Sequence, residues 1–150
     1  MPDELKRTGF GLRLMQLARH WRQAVDAGIR RDAFPDAGWR PLLYLYRAPE
    51  PLRQKDLAAL IGIEGPSLVR LLDSLVASGL VVRAQDPEDR RARRLALTPS
   101  GHATAARIQV RLAEVEAELL RQVDAPALSA AMDTLGQIEL ALQRRKLPAA

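Results

Sequence analysis

Apolar residues recur along this chain at two different spacings, and the alternation between them sets out the fold. From Leu5 to about Arg31, Leu12, Met15, Leu17, Trp21 and Val25 return near helical spacing with charges between them, which predicts a long first helix. "FPDAGW" interrupts it. A short second helix over Trp39–Arg47 carries Leu42, Leu43 and Leu45, with Pro41 leaving its start open. "APEPL" is a proline-rich turn. In the stretch 53–80, Leu57, Leu60 and Ile61 mark a short helix, and Gly62 ends it because glycine accepts a left-handed backbone. Pro66 then suits the first turn of another helix, whose buried stripe is Leu68, Leu71, Leu72 and Leu75 and whose stop is Gly79. Two helices joined by a tight glycine-bearing turn match a helix-turn-helix, with Ala58 small enough for a close crossing; an ordinary helical hairpin is the plainer alternative.

The pattern changes period after Gly79. "LVVRA" (80–84) and "RRLAL" (93–97) read as two strands, joined by the polar loop "QDPEDRRA". Thr98 is a natural N-cap with Pro99 behind it, and a long helix follows to about Val123 with Ala105, Ile108, Leu112, Val115 and Leu119 on one face. Asp124 caps a last helix, along which Leu128, Met132, Leu135, Ile138 and Leu142 repeat. A helix-turn-helix followed by a two-stranded hairpin is a winged helix. The expected fold is therefore mainly α: one domain over 1–150, with a lobe at 37–98 that contains the helix-turn-helix (54–78) and wing (80–98). Long helices at 1–33 and 99–147 flank it. Their leucine stripes would be half exposed in a monomer, so a homodimer with interlocked terminal helices is expected.

Composition narrows the function. Among 150 residues there are 23 Lys and Arg against 18 Asp and Glu, a net charge of +5, which suits a polyanionic partner without proving one. Cys is absent, which excludes disulfides, thiol nucleophiles and thiolate metal sites. Two histidines, His20 and His102, are too few for a multi-histidine metal centre, so neither a metal nor a cofactor is expected. No signal core and no membrane-length apolar run is evident, and a cytoplasmic location is expected. With no phosphate loop and no nucleophile beside a visible base, an enzyme is not expected.

The chemistry that remains is contact with double-stranded DNA. With the leucine stripe turned inward, Pro66, Ser67, Arg70 and Ser74 face outward on the second helix of the motif. Arg70 has the fork geometry for guanine; its plainer role is an ion pair with Asp73. Gln54 and Lys55, at the start of the preceding helix, suit phosphates. In the wing, Arg90, Arg91 and Arg93 suit the electronegative minor groove, and Asp89 is expected to pair with Arg91 and hold the loop in one shape. The competing reading is a winged-helix interaction module without specific DNA binding.

"LAALIGIEGPSLVRLLDSLVASGLVVR" followed by "DPEDRRARRLALTPSG" resembles the MarR family of bacterial transcription regulators, and among them the SlyA-like branch. "LARHWRQAVD" and the tryptophan of "DAGW" resemble the first two helices of that branch. The resemblance spans about residues 12–145 and implies a dimer that binds promoter palindromes. It puts recognition-helix contacts on Ser67 and Arg70 and the wing pair on Asp89 and Arg91. It also implies response to a small aromatic acid or phenol, for which Arg19, Arg22 and Trp39 are candidates; the plainer reading, which carries more weight, is Trp39 as core and the arginines as surface. One departure stands out: position 53 is Arg where the family usually has a Ser or Thr cap.

Overall fold

The computed structural model describes residues 9–146, which form six helices and three short strands. In chain order these are α1 (Phe10–Asp32), α2 (Trp39–Arg47), β1 (Leu52–Arg53), α3 (Gln54–Ile61), α4 (Gly65–Ala77), β2 (Val81–Gln85), β3 (Arg93–Leu97), α5 (Pro99–Leu120) and α6 (Ala125–Lys146). The first four residues of the expected helix, 5–8, lie outside the described residues. No described helix is long and apolar enough to cross a membrane.

The chain divides into two compact units, one running to Val115 and one beginning at Glu116. The first unit holds the core. Ile29 of α1, Leu42 of α2, Leu57 of α3, Leu68 and Leu72 of α4 and Ile108 of α5 are all fully buried there. Removing this apolar surface from water is the main favourable contribution to folding. Leu71, expected in the α4 stripe, is only half-buried. Along α5 the buried positions Gly101, Thr104, Ala105, Ile108, Leu112 and Val115 follow helical spacing. Pro41 is tolerated in α2 because it sits in the first turn, where an N–H has no partner inside the helix. The second unit comprises the end of α5, the turn at 121–124 and α6. Asp124 accepts a hydrogen bond from the Ala127 amide at 2.7 Å, so α6 begins with a side-chain cap. The expected end of α5 near Val123 is corrected to Leu120: the Arg121 and Val123 amides donate three residues back, to Glu118 and Leu120, closing turns that end the α-helical ladder.

The sheet has the order β1-β3-β2, antiparallel throughout. Val81 pairs with Leu97 and Gln85 with Arg93, so the hairpin loop is residues 86–92. The strand β1 went unpredicted. Leu52 pairs with Leu95 and Arg53 with Arg94, which ties the start of the helix-turn-helix to the wing. Between α3 and α4, Gly62 takes φ +73°, and its N–H and that of Ile63 both donate to the Ala58 carbonyl.

Wing and α5 meet at a tight joint. The Thr98 hydroxyl donates to the Gly79 carbonyl at 2.6 Å and accepts from the Gly101 amide at 2.9 Å. The Thr98 N–H donates to the Leu80 carbonyl at 3.1 Å. Gly101 carries no side chain because a Cβ there would overlap the Leu80 carbonyl oxygen.

Candidate nucleic-acid interface

The outward face of α4 carries Pro66, Ser67, Arg70 and Ser74, all exposed. The burial of Leu68, Leu72 and Leu75 on the opposite face fixes that orientation. The alternative partner for Arg70 is engaged elsewhere. Asp73 accepts instead from Arg83 of β2, Nη2 to Oδ1, at 2.7 Å. Among the described residues Arg70 has neither an ion pair nor a hydrogen bond. Lys55 is exposed and Gln54 half-exposed at the first turn of α3.

The wing is organised by a carboxylate other than the expected one. Asp89 meets Arg91 only through the backbone: its Oδ1 accepts from the Arg91 N–H at 2.9 Å. This closes a turn of the kind an Asp side chain forms with the amide two residues on. The expected Asp89–Arg91 ion pair is thereby corrected, since an i,i+2 spacing in a tight turn favours the amide over the longer reach to the guanidinium.

The ion pairs belong to Asp86, whose side chain is 0% exposed. Its Oδ2 accepts from Arg53 Nε at 2.7 Å and from Arg94 Nε at 3.0 Å. Its Oδ1 accepts from the amides of Glu88 at 2.8 Å and Asp89 at 3.3 Å. The hydrogen bond from Arg53 is the leading cause holding this carboxyl well below the usual carboxylate range; the Glu88 amide and Arg94 add to it, and desolvation opposes them. Both guanidinium groups are pushed up in turn, chiefly by the same hydrogen bonds. Arg94 also lies 3.8 Å from Glu50. Arg53 and Arg94 face each other across β1 and β3. Like charges so placed repel, and the carboxylate between them removes the conflict.

The arginines near the motif therefore fall into two groups. Arg53, Arg83 and Arg94 are engaged by carboxylates. Arg70, Arg90, Arg91 and Arg93 are exposed, and among the described residues their guanidinium groups have no partner.

The suggested effector residues are not brought into one site. Arg19 and Arg22 are exposed on α1. Trp39 is 6% exposed in the core, and its indole N–H donates to Asp26 Oδ1 at 2.9 Å. Arg40 lies 5.5 Å from the centre of the Trp39 ring and bonds the other oxygen of Asp26 at 2.8 Å. Asp26 and Arg40 had not been singled out, since their pairing joins α1 to α2 across 14 positions of sequence.

A family model described as the MarR family matches residues 34–92. The crystal structure of the transcriptional regulator PA3341 is 36% identical, with a TM-score of 0.80, over 90% of this chain and 98% of that one. The chain belongs to the MarR family. A MarR family regulator from Rhodococcus sp. RHA1 has the same fold at 24% identity and a TM-score of 0.73, covering 88% of this chain and 93% of that one. So does MepR of S. aureus, solved in complex with DNA, at 22% identity and a TM-score of 0.71, covering 88% and 97%. The winged helix and DNA-binding transcription regulation belong to this MarR-family chain on that footing. Its wing, unlike the one expected from sequence, is anchored through Arg53.

Proposed function

We propose that this MarR-family protein is a dimeric, sequence-specific regulator, with α4 entering the major groove and residues 86–92 tracking the minor groove. The observation that carries this reading is the division among the arginines. Those that would steady the scaffold are paired with Asp73 and Asp86, while Arg70, Arg90, Arg91 and Arg93 are exposed without partners. Unpaired guanidiniums at the ends of two projecting elements would be wasteful on a protein surface with no anionic partner. In this reading Arg70 and Ser67 contact base edges, with Pro66 and Ser74 alongside them. Gln54 and Lys55 contact phosphates. Arg91, aimed by the Asp89 turn, enters the minor groove with Arg90 and Arg93 at its rim.

Dimerisation is supported by apolar residues left open in the single chain. Leu12, Met15 and Leu17 on α1 are 65, 63 and 58% exposed, and Met132, Leu140 and Leu142 on α6 are similarly open. A second copy covering these faces would set two recognition helices about 34–36 Å apart on a near-palindrome. Within the family we place the chain nearest the SlyA-like branch, on "GIEGPSLVR" and "DRRARRLALT". An effector of the aromatic-acid or phenol class would be met by Arg19 and Arg22 on the surface of α1, and by Trp39 only on opening of the core around it.

The test is fluorescence anisotropy on a duplex from the gene's own upstream region against a scrambled duplex, across a salt series. The reading expects the cognate duplex to bind ~10³-fold more tightly or better. Equal affinities at every salt would point to the interaction-module alternative.

A further inference from the structure

Position 53 is the first place to look for something particular to this chain. The helix α3 starts there without a side-chain cap, so the residue gives up a service that Ser or Thr would provide. Its side chain turns instead to Asp86, 33 positions away, at the first residue of the wing loop. Arg94 of β3 shares the same oxygen at 3.0 Å, and three bonds to the loop backbone make Asp86 the fixed point of that loop. Its Oδ1 holds the Glu88 and Asp89 amides, and its N–H donates to the Ala92 carbonyl at 3.1 Å, closing the loop across its base. Asp89 is oriented by this turn, and its Oδ1 in turn holds the Arg91 amide. A chain of bonds thus runs from Arg53 through Asp86 and Asp89 to the backbone of Arg91.

We propose that Arg53 is a positioning residue for the wing. It locks the pose of residues 86–92 to the start of α3, so that the phosphate contacts of Gln54 and Lys55 and the groove contact of Arg91 are made as one rigid unit. This rests on the DNA-binding reading above for its functional consequence, though not for the geometry. In this proposal Arg53 acts through Asp86, a carboxylate it shares with Arg94, and makes no DNA contact of its own. Its contribution is to reduce the ordering that the wing must undergo on binding.

The discriminating variant is Arg53→Ser, which restores a cap to α3 while removing the link to Asp86. If Arg53 served only to begin the helix, this variant would bind as the wild type does. Positioning predicts a loss of about tenfold in affinity for the cognate duplex, with the dependence of log K on log salt unchanged. A direct phosphate contact would instead lower that slope by about one. Combined with Arg91→Ala, the loss should be much less than the product of the two single losses, because both act through the same wing. Amide hydrogen exchange of the free protein supplies a readout that does not need DNA. Exchange at Asp86 and Ala92 should accelerate at least about fivefold in Arg53→Ser, with the amides of α5 unaffected. Unchanged exchange at those two amides overturns the proposal, as does a reduced salt slope or strict additivity with Arg91→Ala. If the wild type fails to prefer its cognate duplex, the functional reading falls by itself, and the exchange experiment still decides the role of Arg53.

Discussion

Replacing Gly101 by Ala should weaken the fold, although alanine is the better helix former. Gly101 is the third residue of α5, and Gly→Ala inside a helix ordinarily gains up to ~1 kcal/mol. Here the added methyl would overlap the Leu80 carbonyl oxygen and press on Leu97 Cβ at 3.3 Å. The obstacle is backbone rather than a side chain that can rotate away. That same carbonyl accepts from Thr98, and the Gly101 amide is held by the Thr98 hydroxyl, so α5 cannot back off without loosening its own cap. Forcing extra volume into such a contact costs about 1–3 kcal/mol. A backbone overlap this close belongs at the upper end of that range, so after the propensity gain of ~1 kcal/mol a net loss of ~2 kcal/mol remains. With an m-value of about 1–3 kcal/mol/M, the urea midpoint should drop by roughly 1 M. The measurement is urea unfolding followed by circular dichroism at one fixed protein concentration, since association would otherwise shift the midpoint. Gly136→Ala provides the contrast: it lies in α6, among the described residues nothing outside its own helix backbone stands within 4 Å of its Cβ position, and a gain of about 0.5–1 kcal/mol is expected. A Gly101→Ala midpoint equal to or above the wild type would refute the close-approach argument.

Leu72→Ala empties a fully buried position on α4 and should cost ~2–5 kcal/mol in the same unfolding assay. Asp86 is held below its ordinary value of 3.8 in the folded state, so its contribution to stability is complete above about pH 4 and is lost as pH falls further. The stability gap between wild type and Asp86→Asn, followed by unfolding from pH 7 to pH 3, should therefore narrow on the acid side; a gap that widens there contradicts the assignment. Arg70→Ala should reduce discrimination between cognate and scrambled duplexes by ~1–3 kcal/mol in the anisotropy assay. Asp124→Ala, which removes the α6 cap, should lower stability by ~0.5–2 kcal/mol without altering the wing amides in hydrogen exchange.

What the sequence conveyed well was local. The bounds of α2 and β3, the Gly62 turn and the Thr98 and Asp124 caps each depend on a few adjacent residues whose backbone preferences agree. What it withheld was pairing at a distance. β1 is two residues long and exists only because Leu52 and Arg53 meet Leu95 and Arg94. Nearness in sequence suggested Asp89 for Arg91 and Asp73 for Arg70. In the fold, Asp73 faces the β2 arginine ten positions on, and the acid holding two arginines is Asp86, reached across the sheet. Position 53 was visible as a departure from the family pattern, and only the partner of its side chain was missing. Arg40 over Trp39 was hidden for the same reason, because Asp26 lies on another helix.

The sheet order β1-β3-β2 leaves β2 with one side of its backbone unpaired. An open strand of this sort is a template on which a second chain can add itself, and Val82, 46% exposed, offers such an intruder some apolar purchase. Arg83, next along the strand and held by Asp73, places an ion pair rather than an apolar side chain at that border. A second chain adding itself there would have to take that ion pair out of water, which is costly. The pair that joins the recognition helix to the wing is thereby expected also to oppose self-association at this edge. Arg83→Val should express as a folded protein that precipitates on concentration, with turbidity rising fastest at high salt, where the remaining positive charges are screened.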